Sequence, residues 1–302
     1  MTSFEHEHRT SSTERRDPAT RDLHARSVAG ILDAFGTADL RAVEAVAEAR
    51  PALTALIEAA EPGFVRGGRL VYLGAGTSGR LGVLDASEAP PTFDVDEGRV
   101  VGLIAGGDAA LRRSSEASED DPNGAQAELD GLALTDDDTV VGIAASGRTP
   151  YVLGALAHAK SRAPGAVTGL VCCTEIAAPP PGCDHLVELL TGPEVLTGST
   201  RLKAGTATKL VLNAISTALM VRAGRVHENL MVDVRATNAK LRARAIGIVR
   251  ELTDLDATAA GDLLERAGGS CKVAVAMHHL GLERDAAVAA LARVAGRLGD
   301  VL

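Results

Sequence analysis

Hydrophobic positions along the chain change their period twice. Between residues 20 and 60 the period is helical: Val28, Ile31, Leu32 and Phe35 share one face, Leu40, Val43, Val46 and Ala47 a second, and Leu53, Leu56 and Ile57 a third. Asp39 and Pro51 stand between these groups, so the pattern predicts three helices. From Arg69 onward the helical period gives way to short apolar runs: Arg69–Leu73, Val100–Ala105, Thr139–Ala145, Val167–Cys173 and His185–Leu190. Runs of this length, bounded by glycine and polar residues, read as buried parallel strands. Helical stretches fall between them at about 79–88, 108–120, 149–162 and 201–223, and Pro90-Pro91 should end the first abruptly. Strand, loop and helix in repetition predict an α/β fold with a doubly wound parallel five-stranded sheet. After about residue 224 the strands stop. An Ala/Leu/Arg-rich region at 238–302, broken at Gly268-Gly269 and Gly281, predicts a small C-terminal domain of three short helices. The expected division is a flexible polar segment (1–20), N-terminal helices (21–60), a sheet domain (61–224) and a helical domain (225–302).

Composition narrows the function. The net charge of -9 disfavours a polyanion-binding surface, and four Phe, two Tyr and no Trp leave few stacking platforms, so no nucleic-acid partner is expected. Cys172, Cys173, Cys183 and Cys271 show no CxxC spacing and read as buried reduced thiols. The N-terminus has no apolar signal region, and no apolar run reaches the roughly 18 residues of a membrane span. A cytoplasmic protein with no membrane partner is the expectation.

Two loops share a logic. Gly74-Ala-Gly-Thr-Ser-Gly-Arg follows the first strand and Ala145-Ser-Gly-Arg-Thr-Pro the third. Each places small residues, hydroxyls and free N–H groups at a helix start, where the helix dipole favours a phosphate. The candidates are Gly76, Thr77, Ser78 and Gly79 in one loop, and Ser146, Gly147, Arg148 and Thr149 in the other. Either loop alone could be only a tight strand-to-helix turn. No acidic ribose partner ends the second strand and no Walker lysine follows either loop, so dinucleotide binding and nucleotide hydrolysis are not expected. A third segment, Thr197-Gly-Ser-Thr-Arg-Leu-Lys, offers Ser199, Thr200 and Lys203. Its cations at a helix start imply an acidic partner or ligand, or else simply face solvent.

Acid–base chemistry has two candidate carriers. Glu88 lies just before Pro90-Pro91, and Glu119 lies in the acidic run Glu116-Ala-Ser-Glu-Asp-Asp, a run that spacing alone assigns to a solvated face. The eight histidines show no metal-ligand spacing, and adjacent His278 and His279 read as surface residues.

These segments together resemble the N-acetylmuramic acid 6-phosphate etherase family, of the sugar isomerase (SIS) domain superfamily. The strings that carry the resemblance are YLGAGTSGRLGVLDASEAPPTF at 72–93, VVGLIAGG at 100–107, VVGIAASGRTPYV at 140–152, TGSTRLKAGTATKLVLNAISTALM at 197–220, NLMVDVRATNAKL at 229–241 and CKVAVAMH from 271. The resemblance implies a SIS fold and cleavage of the sugar's lactyl ether with water, giving N-acetylglucosamine 6-phosphate and D-lactate in cell-wall sugar recycling. It implies a homodimer with no metal and no cofactor. It also implies that Glu88 is the proton donor and Glu119 the second catalytic glutamate. The sequence departs from the family pattern at Ala89, where cysteine is frequent, at Ser114, Ala117 and Ser118 around Glu119, and at Asp17, where asparagine is frequent. An amino-sugar phosphate isomerase and a sugar-phosphate-sensing regulator are the competing readings.

Overall fold

The structure is a computed structural model that describes residues 11–113, 116–234 and 239–302. Expectations for residues 1–10, for Ser114 and for the part of the fifth string at 235–238 lie outside the described residues. The chain forms two compact units, residues up to 87 with 100–216, and residues 88–99 with 217–302.

The first unit opens with a 3₁₀ turn, Ser12–Glu14, and two further 3₁₀ turns. Helix α1 (Val28–Glu48) starts at Ser27, whose side chain accepts from the Gly30 N–H. It runs straight through Asp39. Two of the three expected helices are therefore one, because a single aspartate costs a helix only a few tenths of a kcal/mol, too little to break 21 residues. Pro51 does mark a boundary: it sits in the first turn of α2 (Arg50–Arg66), where a missing N–H costs nothing.

Strands β1 (Leu70–Gly74), β2 (Val100–Ile104), β3 (Thr139–Ile143), β4 (Val167–Cys172) and β5 (His185–Glu188) form one parallel sheet in the order β2-β1-β3-β4-β5. All five expected strands are present. Val71, Leu73, Val140 and Leu170 supply the sheet side of an apolar core, and Tyr151, Val152, Ala155 and Leu156 supply the helix side. Arg69 fastens the start of β1 to that of β3. Its guanidinium forks onto the buried Asp138 carboxylate at 3.0 and 2.7 Å, and its backbone N–H donates to the same group at 2.7 Å.

The connections differ in part from expectation. Helix α3 (Gly76–Phe93) continues through Pro90 and Pro91. Proline's fixed φ suits a helix, but each ring removes an N–H donor and crowds the carbonyl four residues back, at about 3 kcal/mol; both fall in the last turn, where Ala89 and Phe93 are buried. The single helix expected over 108–120 is replaced by α4 (Ala109–Arg112) and a 3₁₀ turn at Glu116–Ser118; α5 (Gln126–Leu132) was not expected. Helices α6 (Pro150–Arg162) and α7 (Lys203–Arg222) fall where the pattern put them. By length and apolar composition α7 could cross a membrane, but 56% of its apolar window is buried in protein. Ala204, Ala207, Val211, Leu212 and Ile215 are almost wholly enclosed, as in a core helix.

The second unit carries a short antiparallel pair, β6 (Val226–His227) with β7 (Leu230–Met231), so strands do not end at residue 224. Among the described residues four helices follow rather than three: α8 (Ala239–Thr253), α9 (Ala257–Arg266), α10 (Cys271–Leu280) and α11 (Arg284–Arg293). The extra break falls at Asp254, in the left-handed region at φ 56°, and at Asp256, which caps α9 through the Ala259 N–H. Val232, Val249, Leu264, Val275 and Leu291 lie in this unit's core. The buried Lys272 ammonium meets Asp233 at 2.7 Å.

Candidate active site

The carboxyl ends of β1 and β3 are neighbours in the sheet, and the chain leaves them in opposite directions along the strand order. Such a switch point leaves a crevice above the sheet. A pocket of about 230 Å³ lies there. Gly76, Thr77 and Ser78, the first turn of α3, line one side; Ser146 and Thr149, at the start of α6, line another; Glu119 and Thr200 complete the polar wall. The first-turn N–H groups of both helices lack partners within their own helix, and both dipoles point positive at the pocket. The separate β1 and β3 loops of the sequence therefore meet at one pocket.

Two glycines make this possible. A Cβ on Gly79 would lie 2.5 Å from the Gly74 carbonyl oxygen, so only glycine lets α3 turn back this tightly over β1. Gly147 takes φ 66°, and a Cβ there would press 2.5 Å from Ile176. Neither lines the pocket; each shapes a loop that does.

Glu119 is held from two directions. Its backbone carbonyl accepts from the Tyr151 N–H at 3.1 Å, and its carboxylate accepts from the Thr149 hydroxyl at 3.0 Å. The acidic run is therefore more than a solvated face at this residue: Glu119 joins the residues of the two loops in one pocket. Glu88 stands exposed near the carboxyl end of α3 and is not among the residues lining this pocket. Arg148 is also exposed, and Ser199 half-buried, neither lining it.

Lys203 is buried and likewise outside the pocket lining. The acidic partner that its segment called for is Glu194, wholly enclosed, whose carboxylate accepts the first N–H groups of α7, from Lys203 at 3.2 Å and Ala204 at 2.9 Å. Burial pushes the Glu194 carboxyl above its ordinary range, against the pull of those N–H groups and of the Lys203 charge. Sequence reading passed over Glu194, Thr13 and Glu14, although the last two line the pocket. The only signal was a Ser/Thr-rich polar stretch before Pro18, which composition assigns to a mobile end.

The model for the glucokinase regulatory protein N-terminal SIS domain matches residues 50–160, which include both phosphate-type loops and Glu119. Over 290 residues the chain is 48% identical to the N-acetylmuramic acid 6-phosphate etherase of Edwardsiella ictaluri, covering 96% of each chain. It is 52% identical over 266 residues to the etherase of Gloeobacter violaceus, covering 88% of this chain and 86% of that one. The chain belongs to the N-acetylmuramic acid 6-phosphate etherase family. Among solved structures it is similar to a phosphoheptose isomerase from Francisella tularensis, at 16% identity and a TM-score of 0.43, covering 64% of this chain and 98% of that one.

The thiols of this etherase-family chain take no part in the pocket. All four are free, Cys172, Cys173 and Cys271 are buried, and burial pushes Cys173 up to about 12 and Cys183 and Cys271 up to about 11. A thiol held protonated at neutral pH is a poor nucleophile.

Proposed function

We propose that this protein is a carbon–oxygen lyase that cleaves the D-lactyl ether of N-acetylmuramic acid 6-phosphate with water, giving N-acetylglucosamine 6-phosphate and D-lactate. The observation that carries the reading is the placement of the Glu119 carboxylate in one pocket with two phosphate-type helix starts, in a chain about half identical to named etherases over nearly its whole length.

The chemistry follows from the bond to be broken. The ether at C3 is not an acetal, so the oxocarbenium route of glycosidases is closed. Opening the sugar ring exposes an aldehyde at C1 and acidifies the hydrogen on C2. Glu119 takes that proton; the C2–H electrons become the C2–C3 double bond, and the C3–O electrons leave with the lactyl oxygen, protonated by Glu88, a role that rests on the family resemblance and not on the lining of this pocket. Glu88, now a carboxylate, takes a proton from water as its oxygen adds to C3, and Glu119 returns a proton to C2. Each positioned proton transfer is worth about 10²–10⁴-fold. The loops at Gly76–Ser78 and Ser146–Thr149 anchor the 6-phosphate, and this fixes C2 relative to Glu119. No electron is gained or lost overall, so the scheme calls for no redox cofactor.

The protein acts as a homodimer in this reading. Val28, Leu32, Leu40 and Val43, spaced by four, eight and three residues on α1, are 58–75% exposed, an apolar stripe suited to a second copy. A phosphorylated sugar does not cross a bilayer unaided, so the reaction belongs in the cytoplasm, where such sugars form.

Lactate release from N-acetylmuramic acid 6-phosphate in H₂¹⁸O tests the reaction. The expected result is release with ¹⁸O at C3 of the sugar and none in lactate. Release with ¹⁸O in lactate would overturn elimination–addition; conversion to a ketose would identify an isomerase, and tight binding without turnover a sensor.

A further inference from the structure

The N-terminal turn at Ser12–Glu14 is built into the sheet unit. Ser11 and Thr13 are buried, and their hydroxyls lie 2.9 Å apart. The Ser12 hydroxyl reaches the Cys173 carbonyl at 3.4 Å and the Thr174 hydroxyl at 3.3 Å, just beyond the end of β4. On the other side the Gly198 N–H donates to the Thr13 carbonyl at 3.3 Å. The turn therefore bridges β4 to the Gly198–Thr200 loop, and both the turn and that loop line the pocket that holds Glu119.

What this arrangement delivers is a carboxylate. Glu14 is among the residues lining the pocket, and Gly198, at φ 74°, leaves room for it: a Cβ on Gly198 would lie 3.0 Å from the Glu14 Oε2. A carboxylate facing a phosphate site is an odd feature for anchoring an anion alone, because like charges repel across a small pocket. It is a fitting one for the hydroxyl-bearing part of a sugar. An ionised carboxylate only accepts hydrogen bonds, from two oxygens, and sugar hydroxyls supply donors.

We infer that Glu14 is a specificity-determining residue, carried into the pocket by the N-terminal turn to accept hydrogen bonds from the sugar hydroxyls while the two helix starts hold the phosphate. The inference rests on the reading of this pocket as a sugar-phosphate site. It gives Glu14 a role in binding, separate from the proton transfers of Glu119 and Glu88.

Calorimetric titration with two probes tests it on the full chain. N-acetylglucosamine 6-phosphate reports the whole site and inorganic phosphate reports the helix starts alone. Glu14→Gln is expected to weaken the sugar phosphate by about 10-fold or more, the usual size for a lost hydrogen bond to a charged group, and to leave inorganic phosphate no weaker, or slightly tighter because a like charge is removed. In turnover it raises KM with little change in kcat, as for an interaction made equally in ground and transition states. Glu14→Asp, which keeps the charge on a shorter arm, recovers part of the loss. Equal weakening of both probes would overturn the inference in favour of a purely structural turn, and so would variants that bind like wild type. If wild-type protein binds no sugar phosphate, the site reading and the inference fall together, a result distinct from variants that match a wild type that binds. If Glu14→Gln does not fold, Glu14→Asp carries the same test.

Discussion

The Thr149 hydroxyl donates to the Glu119 carboxylate at 3.0 Å, and the same threonine is the residue from which α6 starts after β3. One residue thus couples the phosphate-type loop to the proposed base. Replacing it by valine keeps the shape and removes the donor. A hydrogen bond to a charged group is worth about 1.5–3 kcal/mol, so Thr149→Val should slow exchange of the C2 hydrogen with solvent by about 10- to 100-fold. Thr149→Ser, which restores the hydroxyl, should recover most of it. Proton NMR of the sugar in D₂O reads the exchange directly. An unchanged rate in the valine variant would remove Thr149 from any part in positioning Glu119.

The two glutamates should separate in the same experiment. Glu119→Gln is expected to abolish C2 exchange and lactate release together. Glu88→Gln is expected to lower lactate release by about 10²–10⁴-fold while C2 exchange continues, because the base still works when the leaving-group acid is gone. Full lactate release by Glu88→Gln would end the assignment of that residue.

How much of this was legible in the sequence depended on the physics of each segment. The five strands were plain, since a parallel strand buried on both faces reads as an unbroken apolar run. The loops after β1 and β3 were legible as phosphate-type turns, but their convergence was not, because it depends on strand order. Helix ends were harder. Asp39 and Pro90-Pro91 looked like stops and are not: Asp39 costs only tenths of a kcal/mol of propensity, and the two prolines, at about 3 kcal/mol each in a helix interior, fall in the last turn of α3 beside the buried Ala89 and Phe93, whereas the stop at Asp254–Asp256 depends on one left-handed residue and one side-chain cap. Glu14 was invisible for a different reason. A polar end segment has no periodicity, and its place is set by hydrogen bonds to Cys173, Thr174 and Gly198, more than 150 residues away in the chain.

Glu194 should leave a mark on stability against pH. Burial raises its carboxyl above the ordinary 4.5, so the native state holds the proton more tightly than the unfolded chain. Its contribution is complete below the ordinary value and is lost as pH rises through the raised native value. Urea unfolding between pH 4 and pH 7 should therefore show a smaller decline with pH, or a steeper gain, for Glu194→Gln than for wild type. Glu194→Ala should cost about 2 kcal/mol at any pH in that range, since it leaves two enclosed helix N–H groups without their acceptor. Identical pH profiles for wild type and Glu194→Gln would show that the carboxyl titrates alike in both states.

Asp138 should act with the opposite sign. Burial alone would raise its carboxyl, but the Arg69 guanidinium and the backbone N–H groups of Thr135 and Arg69 outweigh it and hold the group below the ordinary 3.8. The stability it supplies is present above that value and is lost as pH falls through the lower native value. Asp138→Ala strands the Arg69 guanidinium at the start of β1 and should cost about 3 kcal/mol at pH 7, with a smaller penalty below pH 3. Unfolding midpoints at the two pH values check this; an equal penalty at both would mean that the interaction matters by shape and not by charge.

The apolar stripe on α1 makes the last test. An isolated exposed leucine needs no explanation, but Val28, Leu32, Leu40 and Val43 recur at helical spacing along one element, and each is more than half exposed. If a second copy covers them, a charge placed in the stripe must be desolvated on association, at a cost of several kcal/mol. Leu40→Glu combined with Val43→Glu should therefore shift a wild-type dimer to monomer in analytical ultracentrifugation without lowering the unfolding midpoint of the monomer, because neither side chain is part of the core. Persistence of the dimer in the double variant would place the interface on another face, and a monomeric wild type would remove the dimer from the proposed function.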